Sequence, residues 1–308
     1  MQRSRKLVNS AKAAVAAGAL MLGEAPSLPQ PSTPVDAAGR SAWANACKDW
    51  DEWTKPGPPF RVFGNTYYVG TCGISSILIV GSKGDILIDG GPPGAGDPIA
   101  ANIRKLGFSL GDVKILLHTH EHHDHAGGLA RLKQLTGAKL YASPFAARAL
   151  AQGGPNPEDP QFELHNALPP VATDKVLAGD PVVTRGDLTL HGVATPGHTP
   201  GALSWQWRSC EGAVCKTIVY ADSLTPVSGD TYRFGDHPAY LAQFRGSLDK
   251  VAALDCDILL APHPSAAGMR DKLLTGDLAR APRCKEYAGG LRQKLDERIA
   301  KEAAGAKP

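Results

Sequence analysis

The sequence predicts an α+β protein made of two similar halves, and three observations predict it. Short apolar strands followed by a helix occur over residues 61–106 and again, more loosely, over 182–254. Between the halves lies His118-Thr119-His120-Glu121-His122-His123-Asp124-His125, with five His and two acids in eight residues. Hydrophobic residues make up 43% and charged residues 20% of the 308. That composition is ordinary for a soluble globular protein, with chain enough for one large domain or two small ones.

The N-terminus differs from the rest of the chain. Arg3, Arg5 and Lys6 precede an uncharged, mostly apolar run over residues 13–23, too short to span a bilayer. Residues 24–40 are rich in Pro, Ala and Ser. This order reads as a secretory signal and leader over residues 1–37, removed to leave one domain over 38–308. Val35-Asp36-Ala37 is one candidate cleavage point, and a disordered tail is the rival reading. Export would place the mature protein in the periplasm without a membrane anchor.

The elements come in this order along the chain. Arg61–Phe63 and Thr66–Val69 read as a hairpin turning at Gly64-Asn65. Ile74–Val80 and Asp85–Asp89 read as two more strands, turning at residues 82–84. Asp97-Pro98 reads as a helix start, an N-cap followed by Pro, with Ile99, Ile103 and Leu106 on one face. Val113–Leu117 is a buried strand that runs into the His-rich segment. Leu129, Leu132 and Leu135 share a helical face after Gly127-Gly128. In the second half, Val182–Thr195 is a hairpin turning at Gly186-Asp187. Leu203–Arg208, Lys216–Ala221 and Asp257–Ala261 are strands, while Pro238–Leu254 and residues 284–304 are helices. Residues 153–172 form a long Pro-rich loop, a length that within a compact domain signals function or disorder.

Charge and cysteine use narrow the function. The net charge is +3, and without residues 1–37 it falls to +1. Nothing calls for nucleic acid or an anionic membrane as partner. Cys47, Cys72, Cys210, Cys215, Cys256 and Cys284 are an even set that fits an exported, disulfide-bonded chain. Six Cys allow 15 connectivities. Cys210 and Cys215 bracket a short loop between two strands and are the easiest pair to argue. Cys47–Cys72 and Cys256–Cys284 would then pin the two ends of the domain to its core. A structural zinc site is a weaker reading, because no Cys-x-x-Cys occurs.

The His-rich run carries the chemistry. Neutral imidazole and carboxylate are zinc ligands. A strand end followed by a turn can aim alternate side chains at one point, so His120 and His122 face one way while Asp124 and His125 face a second metal. His198, in Thr195-Pro196-Gly197-His198-Thr199-Pro200, and His263, in Ala261-Pro262-His263-Pro264, are the further ligand candidates at strand ends. His118 and His123 read as supporting or surface groups. His165, His191 and His237 have no motif around them.

His120-x-His122-x-Asp124-His125, His198 and His263 together resemble the metallo-β-lactamase superfamily, and Leu87-Ile88-Asp89-Gly90-Gly91 resembles its early motif. The resemblance covers roughly residues 60–265. It implies a four-layer αββα sandwich with a di-metal site at one edge, between the sheets. It assigns His120, His122 and His198 to a first Zn2+ and Asp124, His125 and His263 to a second. Asp89 would support the metal loop from behind. Within the superfamily the chain resembles the third subclass of β-lactamases most. Where glyoxalase II has a bridging Asp and the first subclass a Cys, Tyr220-Ala221-Asp222-Ser223-Leu224-Thr225 resembles the third subclass, with Ser. A shift of one residue exchanges strand faces, so Asp222 or Ser223 could face the site, and the resemblance favours Ser223.

The implied reaction is hydrolysis of a β-lactam amide by a hydroxide shared between the zincs and oriented by Asp124, giving antibiotic resistance. Ser223 and Thr225 resemble contacts to the substrate carboxylate, and Gln161 and Phe162 could touch substrate from the loop. The alternatives are a lactonase, thioester hydrolase or phosphodiesterase on the same scaffold, or a zinc-binding protein without catalysis. No long apolar stripe or heptad appears, which predicts a monomer.

Overall fold

The computed structural model describes residues 33–48 and 52–305. The signal-like segment therefore lies almost wholly outside the described residues. The candidate cleavage point falls within helix α1 (Thr33–Ala46).

Among the described residues, twelve strands form two sheets. The first holds β1 (Phe60–Phe63), β2 (Thr66–Tyr68), β3 (Ile77–Ile79), β4 (Asp85–Ile88), β5 (Val113–Leu117), β6 (Lys139–Ala142) and β7 (Lys175–Val176), in that order. It is antiparallel from β1 to β4 and parallel from β4 to β7. The second holds β8 (Val182–Arg185), β9 (Leu188–Ala194), β10 (Leu203–Glu211), β11 (Val214–Tyr220) and β12 (Ile258–Leu260). Only the β11–β12 pair in it is parallel. The described helices after α1 are α2 (Gly96–Lys105), α3 (His123–Ala126), α4 (Leu129–Thr136), α5 (Pro144–Gln152), α6 (Pro238–Ala252), α7 (Met269–Thr275) and α8 (Cys284–Ala303).

The two-residue period of a strand explains the layers. Ile86 and Ile88 point into the same core as Ile218, Tyr220, Ile258 and Leu260, so the two sheets pack face to face. The alternate residues Leu87 and Leu116 point the other way, onto Ile99 and Ile103 of α2 and Leu129 and Leu132 of α4. On the opposite side Val219 and Leu259 meet Phe244 and Leu248 of α6 and Leu291 and Leu295 of α8. Helix, sheet, sheet, helix is the expected αββα sandwich. Both faces of the central strands are covered, which is why they read as unbroken apolar runs rather than alternating ones.

Several boundaries differ from expectation. The strand expected over Ile74–Val80 is only Ile77–Ile79. Ser75 leaves the sheet because its N–H and hydroxyl donate to the carbonyls of Pro262 and Ala261, at 2.8 and 2.7 Å. The N-cap of α2 is Ala95, not Asp97, and no side chain caps it. Asp97 instead pairs with Arg131 at 2.8 Å. The loop over 153–172 carries turns but no helix or strand. The three disulfides join Cys47–Cys72, Cys210–Cys215 and Cys256–Cys284, the expected pairing. Among the described residues no helix is long and apolar enough to cross a membrane.

Candidate metal centre

Three strand ends deliver the histidines to one edge of the sandwich. β5 ends at Leu117, and His118–His125 turn immediately after it. β9 ends at Ala194 ahead of His198, and β12 ends at Leu260 ahead of His263. The halves are tied at this edge. Leu203 N–H donates to Thr119 O at 2.7 Å, and the Trp205 indole donates to His118 O at 2.8 Å.

Two glycine segments let the backbone come this close. A Cβ on Gly128 would sit 2.2 Å from Gly90 O, and one on Gly90 would sit 2.6 Å from Leu129 N. Gly90-Gly91 and Gly127-Gly128 are therefore where the early motif meets the end of the His-rich turn.

The rings of His120, His122 and His198 lie edge-on to one another, with centroids 4.9–5.0 Å apart. Their ligating atoms form one group able to hold a metal ion. His120, Asp124 and His125 form another. His263 Nε2 lies 3.5 Å from Asp124 Oδ2, on which His125 Nε2 also converges at 3.0 Å. All six sequence-predicted ligand candidates thus gather at one place. Burial holds His120 and His122 well below the usual imidazole range, the neighbouring rings adding to it. It pushes His198 down to about 3 and His263 to about 4. At Asp124 burial opposes the charge, but His125, His120 and His263 together outweigh it and hold the carboxyl well below the usual range.

The fit to a divalent cation rests on the donor set. Four neutral imidazoles offer lone pairs beside an ionised carboxylate. His120 Nε2 and Asp124 Oδ1 are buried without a hydrogen-bond partner among the described residues. Leaving such atoms unpaired costs about 1–3 kcal/mol each, more for a charged group, and a metal would satisfy both. Imidazole and carboxylate suit zinc.

The surrounding groups fix the candidate ligands. Asp89, at a positive φ of 65°, accepts from Thr119 N–H at 2.6 Å, Thr119 Oγ1 at 2.8 Å and the Tyr220 hydroxyl at 2.7 Å. It thus braces the turn from behind, and Tyr220 is a partner the sequence did not single out. Asp222 Oδ1 lies 2.8 Å from His120 Nδ1. Among the described residues Asp222 joins none of the groups that could hold a metal, whereas the buried Ser223 hydroxyl has no hydrogen-bond partner. His198 Nδ1 lies 2.9 Å from Thr225 Oγ1 and 3.0 Å from Thr225 O, so Thr225 orients a ligand candidate in addition to any contact with substrate.

Other residues stand apart from expectation. Glu121 stands between His120 and His122 in the turn. It is buried, accepts from Gly201 N–H at 3.1 Å, and so clamps the His-rich turn to the loop that carries His198. Burial raises its carboxyl to about 8. His118 accepts from Ser143 N–H at the start of α5. His165, which had no motif, stacks on His122 with centroids 3.6 Å apart, and its Nδ1 lies 2.9 Å from His123 Nδ1. Gln161 lies over His198, with Nε2 3.1 Å from its Nδ1, while Phe162 is exposed. His191 and His237 lie apart from the cluster, His191 on β9 and His237 just before α6.

The profile of the metallo-β-lactamase superfamily matches residues 69–263. Among solved structures the chain is similar to MIM-2 metallo-β-lactamase, at 51% identity and a TM-score of 0.82, over 86% of this chain and 98% of that one. It is also similar to MEM-A1, a subclass B3 metallo-β-lactamase isolated from a soil metagenome library. There the identity is 42% and the TM-score 0.78, over 82% of this chain and 99% of that one. By sequence it is similar to hydroxyacylglutathione hydrolase of Anaeromyxobacter dehalogenans (strain 2CP-C), 30% identical over 225 residues, 72% of this chain and 70% of that protein. The chain spans about half or less of other hydroxyacylglutathione hydrolases that it matches. The two-layered sheets, the converging histidines and these likenesses agree: the chain belongs to the metallo-β-lactamase superfamily of hydrolases and has subclass B3 enzymes among its structural neighbours.

Proposed function

We propose that the protein is a zinc-dependent β-lactamase. It would hold two zinc ions, one through His120, His122 and His198 and one through Asp124, His125 and His263. The observation that carries the choice of substrate is the direction of Asp222. A thioester hydrolase of this superfamily would use a carboxylate at this point as a bridge between metals. Here Asp222 is committed to His120 Nδ1, the ring nitrogen other than the unpartnered Nε2, and the free side chain beside it is the hydroxyl of Ser223. The likeness to β-lactamases at 42–51% identity over nearly their whole length supports the same reading.

Zinc, when bound, supplies Lewis acidity and makes water an effective nucleophile near neutral pH. The rest falls to the chain. Asp124, the carboxylate among the candidate ligands, would hold the second metal and orient the attacking water beside it. Ser223 Oγ is the donor available to a substrate carboxylate, since Thr225 Oγ1 already meets His198. Glu121 holds the two ligand loops together, so that neither drifts as substrate enters. Three disulfides support export to the periplasm, the oxidising compartment in which such bonds persist.

Zinc-loaded protein should open a carbapenem or cephalosporin ring, followed by absorbance, and a chelator should stop it. Rapid cleavage of a hydroxyacylglutathione or a lactone with no β-lactam turnover would overturn this reading.

A further inference from the structure

The Pro-rich loop over 153–172 does more than border the site. Asp159 is buried, and its two carboxylate oxygens do different work. Oδ1 accepts from Gln161 N–H at 2.8 Å, and Oδ2 lies 2.9 Å from His122 Nε2. Backbone hydrogen bonds fix the chain around it. Asp159 N–H donates to Asn156 O at 2.8 Å, Phe162 N–H to Asp159 O at 3.0 Å, and Gly229 N–H to Pro160 O at 2.8 Å. His165, six residues on, closes the other side by stacking on the His122 ring.

We propose that Asp159 is a positioning residue for the metal centre, holding His122 with Nε2–H toward the loop and Nδ1 toward the cluster. With its carboxyl ionised Asp159 only accepts, so the proton between the two groups belongs to Nε2, and the lone pair is left on Nδ1. His120 is held in the same manner by Asp222 from the opposite half. A histidine that ligates a metal generally donates its other N–H to such a partner, and losing that partner typically costs about 10–100-fold in affinity. The loop that flanks the site thereby also sets how tightly the first metal is held. This inference rests on the metal-centre reading, not on β-lactam turnover.

The test uses the full chain. Long-range 1H–15N spectra of the metal-free protein should show His122 as the Nε2–H tautomer, and an Nδ1–H tautomer would overturn the proposal without any variant. In competition against a chromophoric chelator, Asp159→Ala should bind one zinc equivalent about 10–100-fold more weakly. Asp159→Asn keeps an accepting oxygen and should recover much of that loss. Asp159→Ala with both equivalents at wild-type affinity would overturn the proposal. A wild-type chain that takes up no zinc would overturn it together with the metal-centre reading. A chain that binds zinc as predicted but opens no β-lactam would leave it standing and remove only the choice of substrate.

Discussion

The two groups of candidate ligands differ in how firmly they are held. His120, His122 and His198 are each backed from behind, by Asp222 at 2.8 Å, Asp159 at 2.9 Å and Thr225 at 2.9 Å. All three are buried. Asp124, His125 and His263 are less secured. Asp124 Oδ2 meets His125 and His263, members of its own group, and the side chain of His263 is 25% exposed, leaning on Trp53 with ring centroids 5.3 Å apart. The first group is set in advance by the fold. The members of the second meet chiefly one another. That contrast comes from chain connectivity: His120 and His122 leave a central strand, while His263 sits on a turn held to the other half by Ser75.

The largest effect that would break this contrast is loss of a backed ligand. His120→Ala should lower zinc content by at least one equivalent and reduce hydrolysis by more than the ~10–100-fold typical of changes outside the ligand set. Metal analysis beside turnover checks it, and unchanged zinc content would remove His120 from the ligands.

Asp222→Ala comes next. It should weaken the first zinc by roughly 10–100-fold while both equivalents still bind at saturating metal. Failure to bind a full equivalent at any zinc concentration would make Asp222 a ligand, and would move the chain toward the thioester hydrolases.

The disulfides sharpen the contrast at the level of stability. Cys256–Cys284 closes 28 residues and Cys210–Cys215 only 5. Chain-entropy arguments put their contributions at about 3.6 and about 2.1 kcal/mol. Cys256–Cys284 also anchors α8, from which the Tyr287 hydroxyl donates to the carbonyls of Asp222 and Ser223, both at 2.9 Å. Replacing Cys256 and Cys284 by Ser should therefore lower the melting temperature more than replacing Cys210 and Cys215. It should also loosen the first zinc, whereas the second pair should leave metal binding alone. Calorimetry and chelator competition read the two effects separately. The smallest effect belongs to Trp53→Ala, which should weaken only the second zinc, by a few-fold, through greater exposure of His263.

Much of the site could be read in the chain because it is local. The metal turn is one contiguous run, and Asp89 announces itself at a strand end before two glycines. The strands declare themselves through unbroken apolar runs. The missing parts share a physical cause. Asp159 and His165 sit in a loop whose turns leave no periodicity to place them, and His165 reaches His122 only through the folded path of that loop. Helix α5 leaves little trace in the sequence because its buried residues are two Ala, one Phe and one Leu, a faint stripe. Its Ser143-Pro144 start is nevertheless a legible signal, and the Ser143 hydroxyl does accept from Ala146 N–H. The late start of the strand after Ser75 is hidden because Ser75 pairs with residues almost two hundred positions away.

The unequal hold of the two groups is tested most directly by titrating the zinc-loaded protein with a chelator while following metal content and turnover together. The account predicts two steps, the first removing the zinc at Asp124, His125 and His263 and the second, at higher chelator, the zinc at His120, His122 and His198. A single step in which both ions leave together, or first loss from the His120 group as reported by the His122 and His198 ring resonances, would contradict it.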